Sequence, residues 1–217
     1  MGSGRKRVLV IGAGSIGTRH LRVIHGLGCD VMGCDTQPGA FDAIRRDIPA
    51  LPAFADLGRA LAERPDIVVV ATPPALHEAH ARSAFRAGAH VLCEKPMADT
   101  AAACGRMIRA ARAARRVLHV GFVNRYHPVL QRLKRELNAG RLGTVLFGAA
   151  DLGSYVTLTC SRSRYQATVY GALLMDYTHQ LDFMPWLMGS PAVRVYAVGQ
   201  KKGVFEHGSN PAMIAMI

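Results

Sequence analysis

The stretch that most constrains this chain is Gly12-Ala13-Gly14-Ser15-Ile16-Gly17, set between the apolar run Val8-Leu9-Val10-Ile11 and a helical pattern ending near Gly26-Leu27-Gly28. It reads as strand, tight turn, helix. Gly12 lets the chain turn sharply, Gly14 lets a pyrophosphate approach the backbone, and Gly17 lets the helix pack against the strand. The free amides at the helix start, at Ser15 and Ile16, would face the phosphates. Val31-Met32-Gly33-Cys34-Asp35 then reads as a second strand, with Asp35 standing 18 residues past Gly17. A carboxylate there can accept both ribose hydroxyls of an adenosine, which favours NAD over NADP. Arg45 and Arg46 weigh the other way, because an arginine near that strand edge can hold a 2′-phosphate.

The rest of the first half continues the strand and helix alternation. Phe41–Ile48 has a short helical pattern stopped by Pro49 and Pro52, Ala53-Phe54 can be a short strand, and Leu57–Ala62 gives another short helix. Ile67-Val68-Val69-Val70-Ala71 is apolar throughout, as expected of a strand buried on both faces of a parallel sheet. Thr72-Pro73-Pro74 follows it, with His77 opening a helix to about Arg86. Ala89-His90-Val91-Leu92-Cys93 is the next strand and runs into Glu94-Lys95-Pro96. Ligands in such sheets bind beyond the carboxyl ends of the strands, so Thr72, Pro73 and the Glu94-Lys95 turn should border the nicotinamide. A helix capped by Asp99 or Thr100 and a strand at Val117–Val120 complete this half, which closes at Gly121.

Beyond it the pattern changes. Val129, Leu130, Leu133 and Leu137 share one helical face, and Thr144–Ala150 reads as a strand. Residues 153–170 read as a loop on the active-site side. A mostly apolar helix over 171–188 follows, and Val193–Val198 and Ala212–Ile217 are strand candidates. Asp176 and His179 fall on one helical face with Asp182 a turn further on, so the group can grip one small polar ligand. A metal would need a fourth ligand that this set lacks, and no metal site is expected.

Composition narrows the function classes. Half of the 217 residues are hydrophobic, enough for a substantial core, and no apolar run approaches the roughly 20 residues that span a bilayer. The net charge of +12 comes from scattered arginines rather than a block, which fits a solvated surface or an anionic ligand better than nucleic acid. Five cysteines with no C-x-x-C pair indicate neither zinc nor a disulfide framework, so a reducing, cytoplasmic setting is expected.

These residues together resemble the Gfo/Idh/MocA family of nicotinamide-dependent oxidoreductases. The resemblance runs from about Arg7 to the chain end and rests on the glycine fingerprint, Ala71-Thr72-Pro73 with His77, Glu94-Lys95-Pro96, Arg125-Tyr126-His127-Pro128, Gly140-Arg141-Leu142-Gly143 and Asp176–Asp182. It implies an α/β chain: a Rossmann doubly wound parallel sheet over residues 1–122, then an incomplete α+β domain over 123–217 with an open, mainly antiparallel sheet. It implies hydride transfer between NAD, or less expectedly NADP, and a hydroxyl carbon of a sugar, amino sugar or cyclitol. Lys95 resembles the active-site lysine, Glu94 the residue at the nicotinamide ribose, and Pro96 a proline often reached through a cis bond. Asp176 resembles the substrate-binding carboxylate and His179 the acid/base histidine. His77 and Arg125 are cofactor-pocket candidates, with an exposed or interface position as the alternative for each. The family's second domain is larger than what stands here, so the chain is read as a fragment or as a short form that completes its sheet by homo-oligomerisation. An NAD-binding but non-catalytic protein is the alternative function.

Overall fold

A computed structural model describes residues 4–150, 177–199 and 212–216. Two compact units divide at Gly121 and Phe122.

The first unit is a six-stranded sheet built from β1 (Arg7–Ile11), β2 (Asp30–Cys34), β3 (Ala53–Phe54), β4 (Ile67–Val70), β5 (His90–Cys93) and β6 (Leu118–Val120). Its order is β3-β2-β1-β4-β5-β6, and every pair is parallel. Helices α1 (Ser15–Gly26), α2 (Leu57–Ala62), α3 (Pro74–Arg86) and α4 (Ala101–Ala113) make the crossovers.

Alternation along the strands divides the core into two layers, because successive side chains leave opposite faces of the sheet. Val8, Val10, Val31 and Val69 pack on one side with Leu21 of α1 and with Phe41, Ile44, Ile48 and Leu51. Leu9, Ile11, Met32, Val68, Val70 and Val91 pack on the other with Ala60, Ala81, Phe85 and Met107 of α2, α3 and α4. Both faces are covered, so the strands carry the nearly unbroken apolar runs seen in the sequence.

Two expected elements differ from what forms. Phe41–Ile48 is a series of turns with one 3-10 turn at Ile44–Arg46, instead of an α-helix. Its apolar residues fill the space over Gly33, where an added Cβ would lie 2.3 Å from the Phe41 ring. Packing onto that bare glycine, with Pro49 close behind, decides the local structure. Residues 144–150 carry no strand; Leu146 and Phe147 are 92% and 81% exposed, and no partner strand pairs with them among the described residues.

The second unit contains a 3-10 turn at Val123–Tyr126, α5 (Pro128–Asn138), α6 (Thr178–Met188) and a two-stranded antiparallel sheet of β7 (Val195–Gly199) and β8 (Ala212–Met216). The start of the 171–188 helix and the 153–170 loop lie outside the described residues.

Candidate active site

Reversal of strand order falls between β1 and β4, and Asp35, Thr72 and Glu94 stand just beyond the carboxyl ends of β2, β4 and β5. In open parallel sheets this switch point is where ligands bind. The fingerprint forms as its spacing predicts. Gly12 has φ +92°, and a Cβ there would sit 2.7 Å from the Ala71 carbonyl oxygen. A Cβ on Gly17 would stand 1.7 Å from the Gly12 carbonyl oxygen, so helix and turn meet backbone to backbone. Above Gly14 the space is open, with no atom within 4 Å of a built Cβ. Gly14 also caps α1 without a side-chain hydrogen bond, and the first turn holds no acid. Amides at Ser15 and Ile16 therefore begin a helix whose dipole faces an open cradle, as an anionic group needs.

Asp35, directly after β2, is sewn to the same loop. Its Oδ2 accepts from the Ala13 amide at 2.7 Å and its Oδ1 from the Gln37 amide at 2.9 Å. The carboxylate is thus held at the fingerprint with lone pairs to spare. Arg45 lies 4.0 Å from Asp42 in an exposed ion pair. An open cradle at Gly14, an uncapped helix start and a fixed carboxylate beyond β2 together fit the pyrophosphate and adenosine ribose of a dinucleotide.

The neighbouring strand ends supply the other wall. Thr72 and Pro73 follow β4, and the Thr72 methyl comes within 3.1 Å of a Cβ built on Gly12. The Thr72 hydroxyl is 3.0 Å from His80 Nδ1. His77 is 1% exposed, with Nε2 2.7 Å from the Thr72 carbonyl and Nδ1 3.0 Å from the Pro96 carbonyl and 3.3 Å from that of Met97. Whichever ring nitrogen carries the proton, it donates to one of the two loops that border the site. Burial pushes the His77 imidazolium down against the opposing pull of these carbonyls and of Glu94, and burial also lowers His80, with the neighbouring His77 charge adding to it. His77 is therefore a buried clamp between loops; the exposed position is excluded, and its ring nitrogens are already occupied by carbonyls.

Glu94 and Lys95 follow β5, and the Lys95–Pro96 bond is cis. Lys95 is half-buried, and its amide donates to Glu94 Oε2 at 3.2 Å. Glu94 Oε1 is 2.7 Å from Nε2 of His20 on α1. Burial pushes the Glu94 carboxyl up, but the His20 hydrogen bond and charge and the Lys95 amide and ammonium outweigh it and hold the group below its ordinary value. His20 was not among the residues singled out in the sequence. Its only signal is its place in the second turn of the helix that opens at the fingerprint, on no recognisable spacing.

Within the second unit, Arg125 grips Asp182 with both arms, Nε to Oδ2 and Nη2 to Oδ1, each at 2.7 Å. The guanidinium also lies 5.9 Å from the Trp186 ring centre, within cation–π range, as does the Lys134 ammonium. The bond to Asp182 raises Arg125 above its ordinary value despite some burial. Arg125 thus anchors the Val123–Tyr126 turn to α6 through Asp182. His179 stands on α6 edge-on to Phe122, ring centres 6.3 Å apart. Asp176 lies outside the described residues. No group of three or more His, Cys, Asp or Glu side chains converges as a metal set among the described residues, and none of their helices is long and apolar enough to cross a membrane.

A six-stranded parallel sheet with this switch point, a glycine cradle and a carboxylate held beside it after β2 defines a dinucleotide-binding protein of the Rossmann class. Residues 6–122 match the family described as "Oxidoreductase family, NAD-binding Rossmann fold", and residues 130–213 match the GFO/IDH/MocA C-terminal domain. The chain belongs to the Gfo/Idh/MocA family of oxidoreductases. Among its relatives, inositol 2-dehydrogenase of Acidothermus cellulolyticus is 34% identical over 205 residues, covering 90% of this chain and 57% of that protein. Inositol 2-dehydrogenase 1 of Saccharopolyspora erythraea is 33% identical over 199 residues, with 87% and 56% covered. The crystal structure of the WlbA dehydrogenase from Bordetella pertussis, in complex with NADH and UDP-GlcNAcA, superposes with a TM-score of 0.79 at 27% identity, over 98% of this chain and 67% of that one. The chain therefore spans a little over half the length of these inositol dehydrogenases.

Proposed function

We propose that this chain carries the cofactor site and part of the substrate site of an NAD-dependent dehydrogenase acting on a CH–OH group of a cyclitol, sugar or amino sugar. The observation that carries the reading is the convergence of the glycine cradle, Asp35, Thr72-Pro73 and Glu94-Lys95 on one switch point, in a chain of this family. Gly12, Gly14, Ser15, Ile16 and Gly17 hold the pyrophosphate by backbone amides. Asp35 accepts the adenosine ribose hydroxyls, and its charge opposes a 2′-phosphate, so NAD is the preferred cofactor. Glu94 accepts from the nicotinamide ribose, with Thr72 and Pro73 bordering the ring. When bound, the nicotinamide supplies the two-electron acceptor for the carbinol carbon. Lys95 takes the hydroxyl proton at Nζ, Asp176 orients the substrate, and His179 serves as a second acid/base group. His77 and Arg125 support the site through the segments that they hold.

Relatives named as inositol 2-dehydrogenases support a cyclitol, and the relative bound to UDP-GlcNAcA keeps an amino-sugar acid in view. The exposure of Leu146 and Phe147 supports association with a second copy, and the four described cysteines, all free thiols, support a reducing cytoplasmic setting. The domain assignment follows the same reading, with cofactor binding over 1–122 and substrate binding over 123–217.

Lys95→Ala tests the mechanism. Turnover with inositols and sugar alcohols should be lost, while NADH affinity stays within about tenfold, because the lysine acts mainly on the reacting hydroxyl. Near-normal turnover in the variant would end the proposed chemistry. NADH binding by the unaltered chain with no turnover of any polyol would favour the non-catalytic alternative.

A further inference from the structure

His20 has no part in the fingerprint, yet it bonds the phosphate-binding helix to the Lys95 turn. Its Nε2 lies 2.7 Å from Glu94 Oε1, a contact that spans 74 residues of sequence, with the two side chains only 22% and 17% exposed. Glu94 has two further close neighbours. Its Oε2 accepts from the Lys95 amide, and its carboxyl atoms lie 3.2–3.3 Å from where a Cβ would stand on Gly121. A side chain at Gly121 would press on the carboxylate, so α1, the Lys95 turn and the residue after β6 all border it.

We propose that His20 is a positioning residue for the nicotinamide half of the cofactor, holding Glu94 so that its spare lone pairs meet the distal ribose. The inference rests on the NAD-binding reading above. A carboxylate offers about four acceptor sites, and among the described residues two are filled, one by His20 and one by the Lys95 amide. Glu94 can therefore stay pinned while it accepts a ribose hydroxyl. Pinning matters because a mobile carboxylate would lose side-chain freedom on binding, a cost that a preset one avoids. Among the described residues, the titratable groups around Glu94 are His20 from α1, Lys95 from its own turn, His77 from α3 and the buried Cys93 thiol at the end of β5, and Gly121 follows β6 beside the carboxylate. His20 thereby makes the helix that holds the pyrophosphate and the turn that bears Lys95 one preformed piece.

The two halves of the cofactor give the test. ADP reports the adenosine and pyrophosphate site alone, whereas ADP-ribose and NADH add the distal ribose. All three are titrated against the unaltered 217-residue chain and against His20→Ala, His20→Gln and Glu94→Gln. His20→Ala should weaken NADH and ADP-ribose about tenfold and leave ADP within about twofold, as expected for the loss of one hydrogen bond to a charged group. His20→Gln keeps an N–H donor and should recover most of that loss. Glu94→Gln should show the same selective pattern, and His20→Ala should add little to it in the double variant. Equal weakening of ADP and NADH would overturn the proposal, because a merely damaged α1 loosens the pyrophosphate as well. Unchanged NADH affinity in His20→Ala would overturn it too. Failure of the unaltered chain to bind any of the three would instead bring down the NAD reading, and this proposal with it.

Discussion

Single residues set the shape of the cradle by what they lack. A methyl on Gly17 would overlap the Gly12 carbonyl oxygen at 1.7 Å, and backbone cannot step aside as a flexible side chain can. Gly17→Ala should therefore cost on the order of 3 kcal/mol in urea unfolding. NADH binding should weaken with it. His77 acts in the opposite way, by what it supplies. His77→Leu leaves one buried carbonyl, that of Thr72 or of Pro96, without its donor and should cost about 1–3 kcal/mol. The fingerprint glycines and Asp35 were legible in the sequence because backbone approach and strand length fix their spacing. His20 and the clamp role of His77 were not. Both depend on which strand ends become neighbours, and the order β2-β1-β4-β5 brings together residues that are far apart along the chain.

Elements that bury apolar faces on both sides of the sheet were read correctly, because their runs leave few choices. Those fixed by tertiary partners were not. The 41–48 segment follows Phe41 onto Gly33 instead of its own helical period, and 144–150 has strand-forming residues but no partner strand among those described. α3 begins at Pro74, ahead of His77, since proline fits the first helical turn, where its missing N–H costs nothing. In the second unit the Arg125–Asp182 pair ties a 3-10 turn to α6, a pairing across 57 residues that no local pattern announces. Arg125→Met would leave the Asp182 carboxylate, only 9% exposed, without its partner and should destabilise by about 1–2 kcal/mol, given the partial exposure of the arginine. In the Asp182→Asn background that cost should shrink, which a double-mutant cycle in thermal unfolding reads directly.

At the scale of the molecule, the pH dependence of stability follows from the buried histidines. His77 and His80 are both pushed below their ordinary value, chiefly by burial, so the unfolded chain binds more protons than the folded one as pH falls through the usual histidine range. Their contribution to stability is present above about pH 6.5 and is lost below it. Urea unfolding at pH 7.5, 6.5 and 5.5 should show this fall. It should be shallower in His80→Asn. The measurement that bears most directly on the whole account is a fluorescence titration of the 217-residue chain with NADH and NADPH. Saturable binding with NADH clearly tighter is the predicted result, since the cradle faces open space and Asp35 is fixed beside it. Tighter NADPH binding would put Arg45 and Arg46 ahead of Asp35, and absence of binding to either would contradict the cofactor site itself.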